Sequence, residues 1–279
     1  MFEKRSTGFK IFFIISLIVI GLYVFFPLYW MVITALKAPS EAFNSNPTFL
    51  PTSPTLNNFK NVLLDTRIRN YLKNSLFVSI LSSIFATLLA AYAAYSFSKY
   101  RYRGRKTLMY LILSSQMFPF VVLLLTIYLV MRAFGLLDNY LSLILSYITF
   151  TLPIGTWTLK SYFDQIPNEL IEAARVDGAS RFTIIHRIMF PLAIPGMISI
   201  AIYGFVWSWN DLIYSLTLIT STNKRTLAPG LILNYLGEFQ AKWTEMMAAS
   251  IIVSVPVAIM FIFLQRFFVR GLTAGAVKG

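Results

Sequence analysis

The residues able to do chemistry in this chain are few, and most catalytic constellations are missing. There is one histidine, His186, and no cysteine. That removes multi-histidine and thiolate metal sites and any cysteine nucleophile. No Gly-x-x-x-x-Gly-Lys phosphate loop occurs, nor a single Gly-Lys pair, so the chain is not expected to hydrolyse ATP itself. No nucleophile stands with a base in an apolar stretch, which argues against a membrane-embedded hydrolase. What remains is a polar-aromatic set, Tyr203, Trp207, Asn210, Asp211 and Tyr214, which helical spacing places on one face. Flat aromatic faces stack on sugar rings, and amide or carboxylate groups bond hydroxyls. Such a face can bind a carbohydrate without breaking a bond in it. Interfacial anchoring is an equal alternative, because Trp and Tyr gather at membrane–water boundaries and Asp211 lies near the outer end of its apolar stretch.

The elements that must carry these residues follow from where charge is absent. Of 279 residues, 57% are hydrophobic and only 13% are charged. A soluble domain carries about one quarter charged residues, so a soluble enzyme or a disordered chain is excluded. Uncharged runs cover 11–36, 74–98, 107–131, 139–159, 188–210 and 246–265, each long enough for the roughly 20 residues that cross a bilayer core. The run 42–59 is also uncharged, but Pro47, Pro51 and Pro54 among Asn, Ser and Thr make it a loop. The expectation is an all-α membrane protein with six transmembrane helices at about 11–31, 75–98, 107–131, 141–159, 192–219 and 246–265, forming one domain over 1–279. Backbone groups in lipid must pair internally, and no period-two alternation suggests a barrel. The first run is too long for a cleaved signal peptide and ends in Tyr29-Trp30 rather than small residues. Gln116, Ser82, Ser83 and Thr87 read as packing or helix–helix hydrogen bonds.

The net charge of +13 is a topology signal. With a cytoplasmic N-terminus, the inside segments hold 15 Lys and Arg and the outside segments 9, and the short loop 99–106 alone holds five. Both termini are then cytoplasmic, and nucleic-acid binding is not needed to explain the basic excess.

Segment 160–191, cytoplasmic in this arrangement, has more order than a connection requires. Pro167 suits a first helical turn, Glu169 to Ala174 are mostly helix formers, Asp177-Gly178 ends the helix, and Ser180 caps a second one running towards Pro191. Ala173 and Ala174 leave a flat face for close approach by another protein. A DNA-binding helix-turn-helix is set aside because apolar spans flank the segment. His186 reads as a partner or interface contact.

Glu172-Ala173-Ala174, three residues, Gly178, nine residues, Ile188, one residue and then Phe190-Pro191 resembles the EAA loop of permease subunits in binding-protein-dependent ABC importers. Phe190 stands where that family usually has Leu. Trp207–Asp211 (WSWND), the tail 270–279 (RGLTAGAVKG) and 35–43 (ALKAPSEAF) resemble the maltose and multiple-sugar branch, so the likeness covers the chain.

The resemblance implies the type I ABC importer permease fold, with a loop that docks into a cytoplasmic ATPase. It places Glu172, Ala173, Ala174, Asp177, Gly178, Ile188 and Pro191 in ATPase coupling. Leu272, Thr273, Gly275 and Lys278 then belong to a tail contacting the ATPase, and Tyr203, Trp207, Asn210, Asp211 and Tyr214 to a translocation path. It further implies a second homologous permease, two ATP-binding cassette ATPases using ATP and Mg, and an extracellular solute-binding protein meeting 32–74 and 220–245. No metal or cofactor is expected on this chain, and a bacterial or archaeal cell (inner) membrane is the expected location. An ion-coupled secondary transporter is the competing class. It fits poorly, because such proteins usually carry ionisable residues near the bilayer midplane. A permease for a non-sugar solute is the nearer alternative.

Overall fold

The computed structural model describes residues 7–44, 46–237 and 242–276, with side chains from 8 through 265. It is helical, with no β-strand among the described residues. The helices are α1 (Thr7–Leu36), α2 (Asn57–Leu64), α3 (Thr66–Lys99), α4 (Arg105–Ser114), α5 (Phe120–Ala133), α6 (Tyr140–Gln165), α7 (Glu169–Val176), α8 (Arg181–Ile184), α9 (Phe190–Asn210), α10 (Ile213–Leu218), α11 (Leu227–Tyr235) and α12 (Trp243–Ala276). Five helical stretches are long and apolar enough to cross a membrane, and six if the bent pair Arg105–Met117 and Phe120–Ala133 is one crossing.

The observed helices outrun or undercut the uncharged runs for physical reasons. A helix satisfies its own backbone and can continue into water, so α3 starts at Thr66 and carries Arg67, Arg69 and Lys73 before its apolar part. The stretch 107–131, expected as one crossing, breaks at Phe118-Pro119 with a bend of 104°. Proline disfavours helical backbone at the residue before it, and Phe118 is extended at ψ 133°. The crossing expected over 192–219 ends instead at Asn210, where Asp211 turns extended at ψ 127° and α10 begins separately.

Two compact units emerge, one of residues 1–68 and 231–255, the other of 69–230 and 256–279. In the first, the Pro-rich stretch after α1 is tied by side chains. The Glu41 carboxylate accepts from Thr48 Oγ1 and from Thr52 N and Oγ1, at 2.8–3.0 Å. Buried Asn58 donates to the carbonyls of Ala35 and Lys37, both at 2.8 Å.

In the second unit α6 and α9 pack extensively against each other. Small residues let helices approach in a membrane, where no hydrophobic force drives them together. Ala86, Ala90, Ala91 and Ala94 of α3 are fully buried. A Cβ on Gly155 of α6 would lie 2.9 Å from Ala90 Cβ and from Ile200 Cγ2. Of the two roles expected for them, packing or helix–helix hydrogen bonds, Ser82 and Ser83 fill the first: both are buried and donate to carbonyls three residues back in their own helix. Thr87 Oγ1 is buried without a partner.

Candidate functional site: a docking segment and an aromatic cleft

The segment after α6 is built as two helical pieces about a glycine turn. Asn168, rather than Pro167, precedes the first helical residue of α7. The end of α7 is a Schellman turn: Gly178 N–H donates to Arg175 O at 3.0 Å and Ala179 N–H to Ala174 O at 2.9 Å. Gly178 sits at φ +78°, the left-handed region that glycine enters without cost. Ser180 then caps the next helix by accepting from Thr183 N at 3.1 Å.

The second piece is not a separate short helix. α8 passes through a π-helical stretch, Ile185–Met189, directly into α9, so one helix of 30 residues runs from Arg181 to Asn210. At 1.5 Å per residue it spans about 45 Å. His186 lies at this joint. Its Nδ1 is 2.9 Å from Phe182 O, which can only accept, so Nδ1 carries a proton. Its Nε2 is 2.7 Å from the Tyr92 hydroxyl. The partner of His186 is therefore internal.

The two alanines of the loop face opposite ways. Ala174 is buried with Ile171 in a core of Ala90, Ala94, Leu159, Phe163 and Ile184. Ala173 is exposed, as are Glu172, Asp177 and Gly178. Ala174 thus does not share a flat outer face with Ala173, because residues 171 and 174 point inward at i, i+3 spacing. Ile188 packs against the same core, and Pro191 is exposed in the first turn of α9. Sequence reasoning missed two outward apolar residues, Val176 at 88% exposure and Phe182 at 68%. The available signal was a valine out of step with the inward pair and directly before the Asp-Gly turn. Behind α7, Glu172 and Arg175 share a small polar cavity of about 160 Å³ with Lys99 and Asn168.

The cleft lies on α9. Tyr203, Val206, Trp207, Asn210 and Asp211 line an open groove of about 630 Å³ with Phe120 and Phe261. A second cavity of about 210 Å³ shares Phe120, Tyr203 and Trp207 and adds Ser115 and Gln116 from the broken crossing. Trp207 is held by its neighbours, stacked on Phe150 with centroids 4.9 Å apart and edge-on to Phe120 at 4.9 Å. The Tyr203 hydroxyl makes no hydrogen bond among the described residues. Asn210 donates once, to Val206 O at 2.8 Å, which leaves its carbonyl oxygen free to accept.

Two of the five expected path residues behave differently. Tyr214 is buried off the cleft, its hydroxyl donating to Phe120 O at 2.9 Å, because the helix break at Asp211 ends the common face. Asp211 touches the cleft, but its carboxylate is already committed. It accepts from the Tyr147 hydroxyl at 2.8 Å and from the N–H groups of Ser215 and Tyr214 at 2.9 and 3.3 Å, anchoring the start of α10. Of the tail residues, Leu272, Thr273 and Gly275 fall where α12 is traced as helix, but their side chains, and Lys278 entirely, lie outside the described residues.

A family model, the binding-protein-dependent transport system inner membrane component, matches residues 76–274. The inner membrane ABC transporter permease protein YcjP of Escherichia coli K12 is 36% identical over 281 residues, spanning all of both chains. The diacetylchitobiose uptake system permease protein DasC of Streptomyces coelicolor is 33% identical, over 99% of this chain and 100% of its own length. Among solved structures, a bacterial ABC transporter involved in import of the acidic polysaccharide alginate superposes with a TM-score of 0.80 at 21% identity, covering 95% of this chain and 99% of that one. That last likeness concerns the fold. A family model over most of the chain and relatives matched from end to end, on a helical chain with several apolar membrane-length helices, make this chain a member of the family of inner membrane components of binding-protein-dependent transport systems, an ABC transporter permease.

Proposed function

We propose that the chain is the permease subunit of an ATP-driven carbohydrate importer, supplying half of the path and taking force from an ATPase through segment 160–191. One observation carries this reading: the helix that leaves the docking segment is the helix that lines the cleft. Displacement applied near Arg181 is carried along one continuous helix to Tyr203, Trp207 and Asn210.

Glu172, Ala173, Val176 and Asp177 form the face offered to the ATPase. Small and apolar contacts there allow close approach, and the carboxylates pair with basic groups of the partner. Ile171, Ala174 and Ile188 act from behind, fixing that face to the membrane core. The tail residues Leu272, Thr273, Gly275 and Lys278 are assigned to the same partner. Two ATPase subunits bind ATP and Mg. A second, homologous permease completes the cavity, and a solute-binding protein meets the outer segments 32–74 and 220–245. Both termini are cytoplasmic. The relative named for diacetylchitobiose uptake and the aromatic lining support a sugar as cargo.

Purification with the neighbouring permease, ATPase and binding protein, followed by ATPase assays against a panel of oligosaccharides, tests the whole reading. Stimulation several-fold by at least one sugar is expected. A complex that assembles but answers only to non-sugar solutes would overturn the carbohydrate assignment.

A further inference from the structure

We infer that the cleft on α9 is built for an uncharged glycan and discriminates against acidic ones; this rests on the carbohydrate reading above. Among the described residues, no Lys, Arg or His lines either the larger cavity or the smaller one that adjoins it. Moving a carboxylate or sulfate away from water without a cation costs several kcal/mol, so a surface of this chain that received acidic sugars would need basic groups at that depth. The one full charge at this cleft has the wrong sign for such cargo. Asp211 is 8% exposed and already holds the Tyr147 hydroxyl and two backbone N–H groups.

Backbone dipoles do not reverse the balance. α9 ends at Asn210, so the carbonyl end of a 21-residue helix faces this region with a partial negative charge. α5 begins at Phe120 and offers about half a positive charge there, against a full carboxylate and the opposing end of α9.

What the cleft does offer is neutral. Trp207, Phe120 and Tyr203 present aromatic surface to the C–H face of a ring. The Tyr203 hydroxyl, Asn210 amide and Gln116 amide provide neutral groups for its hydroxyls. Its volume of about 630 Å³ is of the size that holds small ligands. The fold neighbour concerned with the acidic polysaccharide alginate shares the architecture, so the discrimination belongs to the side chains and not to the fold.

A charge-sign experiment on the complete transporter keeps the binding protein constant, so differences between variants report on the permease. Asn210→Lys and Asn210→Asp place opposite charges on the cleft edge, and Val206→Lys and Val206→Glu repeat the comparison one turn away. With radiolabelled neutral oligosaccharides and uronic-acid oligosaccharides of equal length, wild type should import only the neutral ones. Both members of each pair should lower that uptake by similar factors, on the order of tenfold. If the lysine variants keep or raise uptake while the acidic ones abolish it, or if wild type imports the uronic-acid series as well as the neutral one, the inference is overturned and the carbohydrate reading stands. If wild type imports no carbohydrate of either series, both fall.

Discussion

At the scale of the residue, Asp211 illustrates how a carboxylate is kept at the edge of an apolar helix. Its oxygens anchor α10 and receive the Tyr147 hydroxyl, so it is a structural anion before it is anything else. Tyr147→Phe removes one of those donors while leaving the buried charge. It should destabilise the complex by about 1–3 kcal/mol, read as a lower melting temperature in detergent. Asp138, outside the crossings, plays a similar role between the loop before α6 and the stretch after α10. The Ser221 hydroxyl above all, with the Ser221 N–H, the Lys224 ammonium and the Thr220 N–H, favours its ionised form and holds its carboxyl well below the ordinary range, against the opposing cost of burial. A group whose folded pKa is depressed stabilises above its unfolded value of about 3.9 and loses that contribution only as pH falls through the folded one. Asp138→Asn should therefore lower the melting temperature as much at pH 5 as at pH 7, with the difference closing only well below pH 4. Closure already at pH 5 would contradict the clamp.

At the scale of the element, two glycines carry separate loads. Gly155 lets α6 meet α3 and α9, and a side chain there meets Ala90 and Ile200 at 2.9 Å. Gly155→Val should cost about 1–3 kcal/mol through overpacking, seen as reduced yield of folded permease. Gly178 has open space around it, so its constraint is backbone alone. Gly178→Val forces a β-branched residue to φ +78° and should loosen the docking turn by about 1–2 kcal/mol. The crossings should remain folded, so ATPase capture in pull-downs should fall while permease yield stays near wild type. The π-helical stretch Ile185–Met189 is the other special element, inserted where the docking segment joins the crossing. Such bulges are frequent at functional sites, and here one lies on the line along which force must travel.

At the scale of the whole molecule, the proposed arrangement puts segment 160–191 inside and 32–74 outside. The chain has no cysteine, so single replacements report position without background. Val176→Cys should react with a membrane-impermeant maleimide in inside-out vesicles and not in intact cells, and Ser53→Cys should show the reverse. Labelling of Val176→Cys from outside would end the coupling proposal. Charge reversal on the same face gives the functional counterpart. Glu172→Lys, and independently Val176→Asp, should abolish uptake and weaken ATPase capture at least tenfold while permease yield is unchanged. Normal capture with persistent uptake would place the docking face elsewhere.

Five of the apolar crossings and the turn at Gly178 are legible in the residues alone, because both follow from local rules: charge is excluded from lipid, and a left-handed residue ends a helix. The sequence also located the aromatic stretch around Trp207. Tertiary structure decided which way each side chain faces. Ala173 and Ala174 are equivalent in a motif, yet only packing against α3 and α6 turns one inward and leaves Val176 and Phe182 outside. Tyr214 is in helical register with Trp207 but leaves the cleft, since Asp211 finds its donors in Tyr147, 64 residues away, and in the next helix. The bend at Phe118-Pro119 was equally hidden, because hydropathy measures what a residue dissolves in and not the direction of its backbone. Partners distant in sequence set those orientations, and no local pattern contains them.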